Sequence, residues 1–184
     1  CQLVAEILFR VVDKYSNEGL QVVFVANGAY QQVFHDIVYQ HDLYKRVAIC
    51  DFEEGLSHIG FAASDFMLMP SLFEPCGLPQ MTSAIYGSLP IARNTGGLHD
   101  SVSNMDIESE TGNGFLFDTY DSEGLAWAID NAMDFYSLDE HTRGTHIGRV
   151  MQESKERFNH EVTAQAYIDI YQKMLKRPLV DEVF

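Results

Sequence analysis

Glu74 is the acid in the stretch Leu72-Phe73-Glu74-Pro75-Cys76-Gly77-Leu78-Pro79-Gln80, where two prolines, a thiol and a glycine join a short apolar run to a helical pattern. Gly77 lets backbone approach a ligand with no side chain between them, and Pro79 suits the first turn of a helix, where its missing N–H would have no intrahelical partner. Free amides at such a helix start attract an anion, phosphate above all. A carboxylate just upstream can accept hydrogen bonds from hydroxyls on whatever carries that anion. A phosphate-linked sugar satisfies both groups. Taken singly, the residues say less: a Glu in a strand-to-helix loop is more often a solvated or capping acid, and a lone Cys76 is more often a small buried residue than a nucleophile. Thr95-Gly96-Gly97-Leu98 is by itself a common turn and helix start, and Phe52 by itself could be core.

The elements around these residues alternate. Leu3, Ile7, Leu8, Val11 and Val12 fall on one face of a helix over 2–16, which Gly19 closes. The β-branched run 20–26 reads as a buried strand, and the pattern then gives a helix over 30–42, a strand at 46–50, a helix over 56–64 and a strand at 65–69. After the Glu74 loop come a helix over 78–87, a strand at 88–93, a short helix at 98–102, a strand at 114–117 and helices near 122–136, 141–157 and 160–176. Short apolar strands separated by helices predict an α/β fold with a parallel sheet covered on both faces. Ligands on such sheets bind at the carboxyl ends of the strands. The Glu74 loop, the Gly96-Gly97 turn and Asp51-Phe52-Glu53-Glu54 all leave strands at that rim.

Composition narrows the function classes. The chain has 184 residues, 46% of them hydrophobic, enough for one well-packed domain, and we read 1–184 as such a domain cut from a longer chain that opens here on Cys1. Lys and Arg number 12 against 27 Asp and Glu, a formal charge of -15, which disfavours nucleic-acid and anionic-membrane partners. Cys1, Cys50 and Cys76 are widely spaced and form no CxxC pair, so neither a disulfide framework nor a zinc site is indicated, and a reducing cytoplasm fits. No apolar run approaches the roughly 20 residues of a membrane helix. The histidines show no metal-ligand spacing, which leaves His58, His99 and His160 as capping or surface groups. Trp127 groups with Leu125, Ile129 and Met133 as a helix core face, while Tyr167, Tyr171, Met174 and Leu175 give the last helix an apolar face open to self-association.

Three blocks go further: Ser64 to Leu78 (SDFMLMPSLFEPCGL), Tyr86 to Ile91 (YGSLPI) and Thr95 to Val102 (TGGLHDSV). In order and spacing they resemble the C-terminal half of bacterial glycogen synthases and plant starch synthases, with weaker similarity at Gly114 to Phe117 and Ala166 to Tyr171. Those enzymes are retaining glucosyltransferases of the GT-B type, two Rossmann-like domains with the active site between them. The resemblance implies that this chain is the nucleotide-sugar half. Glu74 then matches the active-site Glu that contacts the donor glucose. Cys76 and Gly77 match positions whose backbone approaches the sugar, the Leu78 amide faces the distal phosphate, Phe52 stacks on adenine, and Gly96 and Gly97 keep the neighbouring loop slim. The implied partners are ADP-glucose, an α-1,4-glucan and an N-terminal domain of the same chain, with no cofactor or metal.

Two departures bear on this. Pro79 stands where many relatives have Thr, and Thr82 stands where the wider superfamily often has a second Glu, a difference that favours the narrower family. The family's diphosphate-binding Arg and Lys belong before residue 1, so the chain alone is expected to be inactive. Two other readings stay open at this point: a related transferase using a UDP-sugar, and a module that binds nucleotide or glucan without catalysis.

Overall fold

The computed structural model describes residues 2–176; Cys1, one of the three cysteines weighed above, lies outside the described residues, as does 177–184. The elements run α1 (Gln2–Lys14), β1 (Val22–Val25), α2 (Tyr30–Gln40), β2 (Val47–Cys50), α3 (Glu54–Ala63), β3 (Phe66–Met69), α4 (Pro79–Tyr86), β4 (Leu89–Arg93), α5 (Gly96–Ser101), β5 (Phe115–Phe117), α6 (Ser122–Tyr136), α7 (Glu140–Arg157) and α8 (His160–Leu175). This is the predicted alternation, with ends displaced where a cap decides. Glu53 accepts hydrogen bonds from the amides of Gly55 and Leu56, so α3 begins two residues earlier than periodicity alone suggests. α4 starts on Pro79 and stops at Gly87, whose φ of 91° lets its amide reach back to Ala84 and Ser83.

All strand pairing is parallel: β1 with β2, and β4 with both β3 and β5. The strands form a two-stranded and a three-stranded set, where the sequence suggested one run. α3, which connects β2 to β3, packs on β1, and one edge of β1 and one edge of β3 have no ladder partner among the described residues. Both sets still share one apolar core. α1 buries Leu3, Val4, Ile7, Leu8, Val11 and Val12 and packs on α2 and α6, while α4 packs on α3 and α7, so helices cover the strands from both sides. At roughly 1.5–3 kcal/mol per fully buried aliphatic side chain, that one face of α1 is a major contribution to stability.

Alternation along the strands sorts the two faces. Phe66, Leu68, Ile91, Phe115 and Phe117 join the main core with α1 and α6, whereas Met67, Met69, Ala92 and Leu116 pack with Leu98 and Val102 in a second cluster beneath α5. Pro90 sits inside the central strand, where a residue without an N–H is normally excluded. The amide of Leu89 points to β3, bonding the carbonyl of Asp65, so Pro90 faces the other side, where pairing with β5 begins only at Ile91. The missing donor therefore breaks no ladder bond.

Trp127 departs from the sequence reading. Leu125, Ile129 and Met133 are buried, but Trp127 is 56% exposed. At 3.6 residues per turn, a position two beyond Leu125 lies on the opposite side of the helix, and Ala128 and Ala132 fill the core face instead. Among the described residues no helix is long and apolar enough to cross a membrane.

Candidate functional site

The loop after β3 and the start of α5 form one unit. The Gly97 amide donates to the Glu74 carbonyl oxygen at 2.8 Å. Gly96 adopts a φ of 49° and any Cβ there would overlap that same carbonyl, while a Cβ on Gly97 would come within 2.5 Å of Cys76 Cα. Only residues without a side chain allow this approach. Leu98, fully buried in the second cluster, anchors the turn from below. The sequence placed Glu74, Cys76, Gly77, Gly96 and Gly97 in two separate loops, and the structure puts the backbones of Glu74 and Cys76 against those of Gly96 and Gly97.

Glu74 itself is half-buried, and its carboxylate makes no hydrogen bond within the described residues. Gly77 is buried at a φ of 74°, and neither its amide nor that of Leu78 donates to an acceptor among the described residues. Leu78, 68% exposed, is the cap residue at the start of α4, where the helix dipole adds positive potential. Cys76 is an exposed free thiol whose nearest acceptor is the Gly77 carbonyl at 3.8 Å. One half-exposed carboxylate beside unpaired amides is an arrangement that can hold hydroxyls at one end and phosphate at the other.

Phe52 occupies the next stretch of the rim, after β2. It is 57% exposed, and its amide donates to Asn27 Oδ1 at 3.0 Å, which ties it to the loop after β1 and not to the Glu74 loop. Beside it, Gly28, Gln31, His35 and Asp51 line an open depression of about 520 Å³. A flat exposed ring next to a polar hollow suits an aromatic base.

Several supporting residues were not legible from motif spacing. Arg93 donates to the Leu72 carbonyl and lies 5.0 Å from the ring centre of Tyr120, so a cation at the end of β4 fixes the start of the Glu74 loop. His99 Nδ1 donates to Asn94 Oδ1 at 2.6 Å, and Asn94 in turn donates to Asp118 at 2.7 Å, bracing the Gly96-Gly97 turn from outside. Gln80 and Ser101 are buried between the two loops. Their only sequence signal is polarity on the core-facing positions of a helix, Gln80 beside the buried Ser83 and Ala84 of α4 and Ser101 beside the buried Leu98 of α5. His58 and His160 are exposed surface groups. Among the described residues no group of three or more His, Cys, Asp or Glu could hold a metal ion.

Comparison with known proteins places the family and the fold. The family of group 1 glycosyl transferases matches residues 5–143. Over 173 residues the chain is 35% identical to glycogen synthase of Bacillus cereus, covering 93% of this chain and 35% of that protein. It is 38% identical over 151 residues to a probable starch synthase 4 of Arabidopsis thaliana, covering 80% of this chain and 14% of that protein. The chain thus spans about a third or less of the length of these relatives. The catalytic domain of starch synthase IV from Arabidopsis thaliana, solved with ADP and acarbose, superposes with a TM-score of 0.76 at 34% identity over 94% of this chain and 36% of that one. A mutant of S. aureus TarM, solved with Fondaparinux, alpha-GlcNAc-glycerol and UDP, has a TM-score of 0.72 at 13% identity over 92% of this chain and 32% of that one, which speaks to fold alone. The chain belongs to the group 1 glycosyl transferases, and within them it matches the C-terminal part of the glycogen and starch synthases.

Proposed function

We propose that this chain is the donor-binding half of a retaining glucosyltransferase that moves glucose from ADP-glucose to the 4-hydroxyl end of an α-1,4-glucan in the cytoplasm. The observation that carries the reading is the joined loop pair: the loop of Glu74, Gly77 and Leu78, with no acceptor for the last two amides among the described residues, held against Gly96 and Gly97 at the carboxyl ends of β3 and β4. Adenine lies on Phe52, the distal phosphate meets the Leu78 amide at the start of α4, and the glucose hydroxyls meet Glu74. No metal or cofactor is assigned to the site.

Retention through a covalent intermediate needs two carboxylates about 5 Å apart. The Glu74 loop supplies one, so the chemistry that fits is departure of the nucleoside diphosphate and entry of the glucan hydroxyl on the same face of the ring. The bond from C1 to the phosphate oxygen breaks, the leaving phosphate takes the proton of the incoming 4-hydroxyl, and the new glycosidic bond forms on the face just vacated. Glu74 orients the hydroxyls and offsets positive charge on the oxocarbenium-like ring; its role is electrostatic.

The test replaces the matching segment of Bacillus cereus glycogen synthase with this chain and follows glucose incorporation into glycogen. We expect transfer from ADP-glucose, slower transfer from UDP-glucose, and a loss of about 10²–10³ in rate for Glu74→Ala. Faster transfer from UDP-glucose would move the donor assignment, and equal rates with and without Glu74 would remove the catalytic one.

A further inference from the structure

We infer that Gln80 is a positioning residue that locks the two loops of the site into one rigid body, an inference that rests on the donor-site reading above for its functional consequence. Gln80 is the largest of the fully buried polar side chains, 1% exposed, on the inward side of the first turn of α4. Its Nε2 donates to the carbonyl oxygens of Cys76 at 3.0 Å and Gly77 at 2.8 Å and to Ser101 Oγ at 3.1 Å. Two of those three partners are carbonyls, which only accept, so the side-chain amide has one permitted orientation. Ser101 Oγ passes the connection on, donating to the Gly97 carbonyl at 2.6 Å. Since the Gly97 amide donates to Glu74 O at 2.8 Å, the contacts close a ring through Glu74, Cys76, Gly77, Gln80, Ser101 and Gly97.

This ring explains two other observations. Gln80 Oε1 is buried without a donor, a cost a helix would ordinarily avoid by placing an apolar residue at that position. The two hydrogens on Nε2 serve three acceptors, one of them shared, which requires the amide, and Oε1 comes with it. The same atom lies 2.5 Å from where a Cβ on Gly77 would stand, so Gln80 also closes the space beneath Gly77 and holds that turn at its positive φ. With the Cys76 and Gly77 carbonyls taken up by Gln80, the amides of Gly77 and Leu78 have no acceptor among the described residues.

The consequence is specific: loss of the Gln80 donor should loosen the Gly97 end of the ring as well as its own loop. Gln80→Met keeps the length and volume and removes the donor; Ser101→Ala removes only the link to Gly97. In the 184-residue chain, Gln80→Met is expected to speed amide hydrogen exchange at Gly97 by about tenfold, the size set by losing one or two net hydrogen bonds, with exchange in β1 unchanged. Ser101→Ala should speed Gly97 alike while leaving the Cys76 to Leu78 resonances nearer to those of wild type. ADP should bind Gln80→Met about tenfold more weakly. Wild-type exchange at Gly97 in a folded Gln80→Met chain overturns the inference, and if that variant does not fold, wild-type exchange at Gly97 in Ser101→Ala does the same. Faster exchange at Gly97 in a chain whose wild type shows no ADP-dependent shift at Gly77 or Leu78 upholds the coupling and removes the donor-site reading instead.

Discussion

Glu74 shows how a residue can be prominent in function and idle in folding. Its carboxylate has no partner among the described residues, so Glu74→Gln should leave stability within about 0.5 kcal/mol of wild type in urea unfolding while removing transfer in the assembled enzyme. Gly97 is the opposite case. A Cβ there would stand within 2.5 Å of the Cys76 backbone, so Gly97→Ala must displace one loop, and we expect a loss of about 1–3 kcal/mol together with loss of ADP binding, read by denaturation and by titration of the same sample. The motif made Glu74, Cys76, Gly77, Gly96 and Gly97 legible, because glycine and proline mark close approach directly. Gln80, Ser101 and Arg93 were not, because what they do depends on which carbonyls the fold brings beside them.

Among the elements, α1 and α8 are both amphipathic and behave differently. α1 has six buried apolar residues, and Ile7→Ala should cost about 2–5 kcal/mol of unfolding free energy. α8 has none, with Tyr167, Ile170, Tyr171, Met174 and Leu175 all exposed, so Tyr167→Ser should change unfolding by less than about 0.5 kcal/mol. If the exposed face instead mediates self-association, sedimentation at rising concentration will show a dimer that Tyr167→Ser weakens. Periodicity located both helices, and it could not say which apolar face meets a partner. The same ambiguity placed Trp127 in the core. The strands were legible because each is a short apolar run with turn residues at its ends, while their division into two sets is a matter of tertiary pairing, which no local pattern encodes.

Across the whole molecule, α1 and α6 are tied by Lys14 and the Tyr15 hydroxyl, which both donate to Asp130, at 2.7 and 2.5 Å. Burial, then the bond to Asp130, pushes Tyr15 up to about 12, and its bond to Asp130 raises Lys14. Burial works to raise Asp130, but the bonds from Lys14 and Tyr15 outweigh it and hold the carboxyl below its usual range. The raised groups stabilise the fold below their unfolded values near 10 and lose that contribution as pH climbs through the folded ones; the lowered carboxylate stabilises above about 4 and loses it as pH falls. Asp130→Asn should therefore cost about 1 kcal/mol or less across a plateau from roughly pH 4 to 10, with the difference from wild type shrinking on either side. Phe52 and the Glu74 loop belong to different strand sets and share no hydrogen bond, so one nucleotide bridging them is the central claim. Titration of the isotopically labelled chain with ADP and with UDP, followed at the amides of Phe52, Cys76, Gly77 and Leu78, tests it most directly. The account predicts weak, saturable shifts at all four positions, larger with ADP; shifts confined to one strand set, or none at Gly77 and Leu78, would contradict it.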